Sequence, residues 1–197
     1  MAATIRLASE ADADALLAIY GPIVRDTAIS FEVEPPTPDE MRRRIRTVLE
    51  HAPWLVCERD AIVVGYAYAG RFHARAAYQW TVEVTVYVDP VHHRRGIGRG
   101  LYTALLGCLR LQDFRTTVGV IALPNPESVG LHEAMGFVPA GVLHRIGHKH
   151  GRWHDVGWWE LALGDRTAAP SALRSLSDVM KTPAWHAALA SGAAAVS

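Results

Sequence analysis

The chain has 197 residues, half apolar and a fifth charged, the composition of a soluble globular protein with room for a sizeable core. Twenty basic and twenty acidic side chains cancel, which argues against nucleic acid or an anionic membrane as the main partner. Cys57 and Cys108 offer neither a disulfide framework nor a metal spacing, and no stretch reaches the roughly 20 apolar residues of a membrane span. The opening residues lack the basic-then-apolar layout of a secretory signal, so a cytoplasmic location is expected.

Thr4–Ala8 alternates and predicts a first strand. Ser9 can cap a helix from about Glu10, with Ala15, Leu16, Ile19 and Tyr20 on one face and Gly21-Pro22 as a disturbance. Thr27 to Glu34 is expected to be extended, with Phe31 its largest apolar side chain. Thr37-Pro38-Asp39-Glu40 signals a second helix, with Met41, Ile45, Val48 and Leu49 inward and an arginine-rich solvated face. Two strands, Trp54–Glu58 and Ile62–Gly70, should meet at an Arg59-Asp60 turn, followed by a polar loop from Arg71 to Tyr78.

Residues 80–88 form the expected central strand, with Val82, Val84, Val86 and Val88 on one face and Thr81, Glu83, Thr85 and Tyr87 on the other. Asp89-Pro90 stops it. Arg94, Arg95, Gly96, Gly98, Arg99 and Gly100 then lead into an apolar helical pattern through Leu101, Leu105, Cys108 and Leu109. A small-residue loop at a helix N-terminus presents backbone N–H groups and the positive end of the helix dipole, a setting for phosphate or pyrophosphate. The spacing fits neither a dinucleotide-binding fingerprint nor a P-loop, which would need Gly-Lys-Ser/Thr.

Thr116–Leu123 reads as a strand covered on both faces, and Glu127–Met135 as a short helix ending at Gly136. Two last strands, 137–143 and 156–163, flank the histidine-rich stretch His144–Asp155. Four histidines there lack cysteine or carboxylate partners at a metal spacing, and a hairpin would scatter them over two faces, so no metal is expected. Residues 165–197 turn alanine- and serine-rich and are expected to form a tail, partly helical or disordered, with Pro183 interrupting a possible helix over 173–189. The resulting architecture is a mixed α/β sheet covered by helices, one domain over 1–164 with the tail appended.

The glycine loop, followed by Asn125-x-x-Ser128-x-x-Leu131-His132-Glu133-x-x-Gly136-Phe137, resembles the GNAT superfamily of N-acetyltransferases over about residues 3–163. Residues 29–35, the Arg75 to Glu83 segment, Leu123-Pro124-Asn125 and Lys149–Gly157 resemble its phosphinothricin and methionine sulfone N-acetyltransferases. The resemblance implies acetyl-CoA as donor, the α-amino group of a small amino acid as acceptor, direct transfer, and a homodimer. Aligned on Gly96 and Gly98, position 93 is a histidine where the family usually carries Gln or Arg.

Acetyl transfer to an amine needs a base for the ammonium, stabilisation of the carbonyl oxygen and a proton for the departing thiolate. Glu83, mid-strand and opposite the valine face, is the candidate base, since burial there would raise its pKa toward working pH. His132 stands where the resemblance implies a thiolate-protonating tyrosine, and histidine titrates near neutrality. The resemblance assigns the coenzyme to Val86, Tyr87 and Val88 backbone, to Arg94, Arg95, Gly96, Ile97, Gly98 and Arg99, and to Asn125 and Ser128. It assigns the acceptor to Arg75, Tyr78, Phe31 and Lys149; an arginine fork suits a carboxylate or phosphinate. Two alternatives stay open: a GNAT enzyme acting on another amine, such as an aminoglycoside or a protein N-terminus, and a non-catalytic acyl-CoA sensor.

Overall fold

A computed structural model describes residues 3–197. Seven strands form one sheet in the order β1-β2-β3-β4-β5-β7-β6. They are β1 (Thr4–Leu7), β2 (Trp54–Arg59), β3 (Ile62–Arg71), β4 (Thr81–Val88), β5 (Thr116–Leu123), β6 (Val138–Lys149) and β7 (Arg152–Ala162). All neighbours are antiparallel except β4 and β5, which run parallel because a helix, α3 (Ile97–Leu111), crosses between them. The parallel ladder is short. It pairs Thr81, Val82 and Glu83 with Thr116, Thr117 and Val118, and beyond Glu83 the strand pairs only with β3. The mixed sheet covered by helices is the expected architecture.

Strand alternation divides the core in two. Val82 and Val84 join Leu55, Cys57 and Ala67 against Leu101, Leu105 and Leu109 of α3. The opposite face carries Trp54, Val56 and Tyr66 against α1 (Ala13–Asp26) and α2 (Pro38–Leu49) through Leu16, Ile19, Tyr20, Met41 and Ile45. Thr37 caps α2 by accepting from the Glu40 N–H, with Pro38 at the first position, as its sequence signals. The arginine face of α2 is ion-paired: Arg42 to Asp39, Arg43 to Glu40, Arg46 to Glu10, and Arg44 to both Glu32 and Glu40.

Four local expectations are corrected. Helix α1 runs through Gly21-Pro22 to Asp26. An interior proline costs about 3 kcal/mol, and burying Ile19, Tyr20 and Val24 around it, at about 1.5–3 kcal/mol each, outweighs that. Residues 27–36 make bends, with no ladder, because their polar groups are taken by side chains: Ser30 meets the Tyr20 hydroxyl at 2.7 Å and its carbonyl accepts from Lys149. The β2–β3 turn is centred on Asp60-Ala61, both at positive φ, one residue later than expected. The two last strands are longer than expected: β6 and β7 continue through the histidine-rich stretch as a hairpin, to a tight turn at His150-Gly151, with φ of 50° and 73°. Each histidine there has a separate partner. His144 pairs with Asp155, His148 packs on Trp153, His150 donates to the Thr27 carbonyl, and buried His154 donates to the Lys149 carbonyl.

Within 165–197 lie a short turn of helix, α5 (Leu176–Val179), and a longer one, α6 (Pro183–Ala194). Pro183 begins α6 instead of interrupting a helix, with Thr182 accepting from the Trp185 N–H as cap. Leu176, Val179 and Trp185 are buried in the α3-side core. Helix α6 crosses α3 where both are glycine: a Cβ on Gly100 would stand 2.6 Å from the Gly192 carbonyl oxygen. Just past α6, the Ser197 N–H donates to the Arg95 carbonyl at 3.0 Å, behind the glycine loop. α4 (Pro126–Ala134) lies between β5 and the β6–β7 hairpin in sequence, and its Gly136 stop has φ of 91°.

Candidate active site

The separation of β4 from β5 beyond Glu83 opens a cleft of about 290 Å³. Glu83, Thr85 and Tyr87 from β4 face Ile121 and Ala122 from β5, and Tyr102, His132, Asn125 and Phe31 complete its walls. Val86, Tyr87, Asn125 and Ser128 also line a groove of about 430 Å³ that runs over Val88, Gly96, Ile97 and Gly98 to Arg94 and Arg99. Ten of the eleven expected coenzyme residues therefore border one continuous surface; Arg95 alone lies off it, its carbonyl held by Ser197.

The groove combines open backbone N–H groups with unpaired cations. Gly96, at φ 75°, is the N-cap of α3, so the first N–H groups of that helix open into the groove without helical partners. Arg94 and Arg99 have no acidic partner among the described residues, leaving two cations at the rim. Gly98 permits the approach of Leu131, whose Cδ2 would be 3.1 Å from an added Cβ. Gly96 and Gly100 serve another neighbour: a Cβ at either would collide with α6 or the residues just after it. Only part of the glycine pattern thus belongs to the groove, and helix crossing accounts for the rest.

His93 folds back on the end of β4, its Nε2 donating to the Val88 carbonyl at 3.1 Å, with Nδ1 3.7 Å from Glu127. The departure from Gln or Arg at this position therefore leaves the rim charge to Arg94 and Arg99. Asn125 caps α4, its side-chain oxygen accepting from the Ser128 N–H at 3.2 Å, while its NH2 has no partner among the described residues.

Burial raises the Glu83 pKa above the ordinary glutamate value of 4.5, opposed by the charge of nearby His73. His132 is 3% exposed and its Nδ1 lies 2.8 Å from the Ser128 carbonyl, so that nitrogen carries the proton. Its Nε2 then accepts from the Tyr102 hydroxyl at 3.0 Å. Burial lowers the His132 pKa against the opposing pull of the Ser128 carbonyl, so the ring is neutral near pH 7. Gly119 of β5 is part of this arrangement: a Cβ there would lie 2.5 Å from the imidazole. Tyr102 was hidden in the sequence because it sits one residue past Leu101 in an apolar helix, where an aromatic reads as core. Its polar end in the cleft could be inferred only once α3 is laid across β4. Burial also pushes the thiols of Cys57 and Cys108 up to about 11 and about 12, so neither is a ready nucleophile.

The expected acceptor residues do not all converge. Phe31 reaches the cleft and packs near His154, its ring lying on Gly147, where any side chain would overlap it. Lys149, expected to meet an anionic substrate, is buried and donates to the Val24 and Ser30 carbonyls at 2.6 and 2.7 Å. Those two bonds hold the end of α1 and the Phe31 loop to the hairpin, so the correction turns a ligand contact into a tether. Arg75 and Tyr78 are exposed on the loop before β4 and line none of these cavities; Tyr78 packs on Phe72 and His73.

A parallel pair that parts in mid-strand beside a basic helix N-terminus accords with a family model described as an acetyltransferase (GNAT) domain, which matches residues 5–158. The chain belongs to the GNAT acetyltransferases. Among similar GNAT proteins, the phosphinothricin N-acetyltransferase of Streptomyces viridochromogenes is 43% identical over 89% of this chain and 95% of its own length. The L-methionine sulfoximine/L-methionine sulfone acetyltransferase of Salmonella typhimurium is 34% identical over 86% of this chain and 99% of its own. The crystal structure of a GNAT superfamily phosphinothricin acetyltransferase from Sinorhizobium meliloti in complex with AcCoA superposes with a TM-score of 0.82, at 35% identity over 87% of this chain and 94% of that one.

Proposed function

We propose that this GNAT enzyme transfers an acetyl group from acetyl-CoA to the α-amino group of a small amino acid, of the kind represented by phosphinothricin and methionine sulfone. One observation carries the reading: Glu83 shares a cleft with Tyr102 and His132, and that cleft runs into the basic groove at the start of α3. The names of the relatives supply the substrate class.

Bound acetyl-CoA supplies an activated acyl thioester. The groove fits it through loop N–H groups and the Arg94 and Arg99 guanidiniums for phosphate, and through the unpaired β4 backbone and the Asn125 NH2 for amide groups. Glu83, its pKa raised by burial, accepts the proton of the acceptor ammonium, directly or through one water. The Tyr102 hydroxyl, held by the neutral His132 Nε2 in the resting site, can turn its proton to the departing thiolate and regain one from solvent; His132, itself fixed by the Ser128 carbonyl, positions that hydroxyl. Arg75 has no acidic partner among the described residues and is the candidate grip for the acceptor's carboxylate. Arg75→Ala should then raise the acceptor KM at least tenfold and leave the acetyl-CoA KM unchanged.

The protein is proposed to work in the cytoplasm, where its two thiols stay reduced, as a homodimer. Strand β6 is a sheet edge that exposes Val138, Val142, Leu143 and Ile146, an apolar strip suited to a second copy. Light scattering of wild type and Ile146→Lys tests this; a monomeric wild type removes the dimer.

Thiol release from acetyl-CoA with phosphinothricin, methionine sulfone, an aminoglycoside and an N-terminal peptide tests the main reading. Turnover confined to the first two is the expected result. Turnover confined to the last two moves the enzyme to another acceptor class, and coenzyme binding without turnover makes it a sensor.

A further inference from the structure

A third cavity, of about 260 Å³, lies on the α1/α2 face of the sheet. Its floor is made of rings: Trp54 from β2, Tyr66 and Tyr68 from β3, and Tyr87 from β4, with Arg44 and Thr47 of α2 at the rim. Strand register builds this floor. Trp54 is paired with Tyr68 and Tyr66 with Tyr87, so neighbouring strands place rings side by side, and the Trp54 and Tyr68 centroids are 4.2 Å apart with planes 16° from parallel. Thr85 pairs with Tyr68 and Glu83 with Gly70, so the row that carries the base lies next to the row that carries the rings. Tyr68 and Tyr87 line both this cavity and the Glu83 cleft, and Gly70 adds no side chain beside Glu83.

Two further features define what the cavity accepts. Trp54 is 2% exposed and its indole N–H has no hydrogen-bond partner among the described residues, so a buried donor awaits an acceptor atom. The rim charges, by contrast, are already matched. Arg44 donates to Glu32 through Nη1 at 2.6 Å and Nη2 at 3.2 Å, and to Glu40 through Nε at 2.8 Å, while Arg43 is paired with Glu40. No cation is left to receive an anion.

We propose that this cavity receives the side chain of the acceptor amino acid, and that the favoured side chain is uncharged and carries a hydrogen-bond acceptor for the Trp54 N–H. The inference rests on the amino-acid N-acetyltransferase reading above and narrows it. A sulfone, neutral with two acceptor oxygens, suits the cavity; a phosphinate would enter as an anion with no counter-charge.

The test compares methionine sulfone, norleucine (similar length, no distal acceptor) and phosphinothricin with wild type, Trp54→Phe and Thr47→Trp. Wild-type kcat/KM should favour methionine sulfone over norleucine by about five- to tenfold, the value of one hydrogen bond, and should also favour it over phosphinothricin. Trp54→Phe keeps an aromatic floor and should erase the sulfone advantage while norleucine stays within about twofold. Thr47→Trp, on the exposed side of α2, should crowd the cavity and lower kcat/KM for both neutral acceptors. A sulfone-to-norleucine ratio unchanged by Trp54→Phe, full activity in Thr47→Trp, or a preference for phosphinothricin overturns the proposal. Calorimetric binding of methionine sulfone to the same three proteins separates this result from the activity. Binding that both variants weaken, without turnover in the wild type, sinks the acetyltransferase reading and keeps the cavity; turnover with binding indifferent to both variants does the reverse.

Discussion

The donor and acceptor halves of the cleft are made in different ways. The proposed donor half comes mainly from two contiguous runs, 86–99 and 125–131, with Ile23 and Ile29 at one side, and uses mostly backbone: unpaired strand groups, the first N–H groups of α3 and two unpaired arginines. The proposed acceptor half is assembled from side chains on the 27–36 loop, β3, β4, α3, β5, α4 and β7, with the 27–36 loop tied to the hairpin by single bonds such as Lys149 to Ser30. Backbone recognition tolerates side-chain change, whereas a wall made of separate tethers can be retuned one residue at a time. The common donor and the variable acceptor of such enzymes map onto that contrast.

Glu83→Gln should give the largest effect, a fall in kcat of about 10²–10⁴-fold with coenzyme affinity intact, measured by thiol release and calorimetry. With Glu83 as the proposed base the active form is the carboxylate, and the acid limb of the wild-type kcat/KM profile should lie above the ordinary glutamate value, in the direction of the burial shift. The stability sign runs the other way. A carboxyl whose folded pKa is raised stabilises most below the unfolded value and loses that contribution as pH rises through the folded value, so Glu83→Gln should be at least as stable as wild type at pH 8. A loss of acetyl-CoA affinity in this variant would break the division between halves.

Lys149→Met tests the acceptor tethers. Leaving the Val24 and Ser30 carbonyls unsatisfied should cost about 1–3 kcal/mol of stability and raise the acceptor KM, with the acetyl-CoA KM unchanged. Gly119→Ala should cost a similar 1–3 kcal/mol by pressing on the His132 ring, read as a fall in Tm of a few to about 10 °C. Gly192→Leu is the donor-side counterpart: pushing α6 from α3 should raise the acetyl-CoA KM several-fold and leave the acceptor KM alone. His93→Gln should be the mildest, within about threefold in every constant, because an amide N–H can replace the imidazole donor to Val88.

The same contrast explains what could be read from the chain. The strand–glycine loop–helix unit, the valine face that puts Glu83 on the other side, and the Thr37 cap are local patterns, and the structure keeps them. Lys149 looked like a ligand contact because a lysine next to His150 and Gly151 reads as exposed. Its burial depends on α1 ending 125 residues earlier in the chain, as the Val24 bond records. Pro22 and Pro183 misled for the opposite reason: a local rule predicted a break, and burial of Val24 in one case and a first-turn position in the other removed it. Tyr102 needed two elements to be superposed before its hydroxyl had a role.

The contact of α6 with the loop also joins parts of the chain that lie far apart in sequence, since the glycine loop is backed by Gly192 and by the Ser197 N–H. A chain cut before Pro183 would keep every strand of the sheet, with Glu83, and lose the packing behind the loop. Damage at that distant helix would be felt first in how the loop is held, with the sheet left intact.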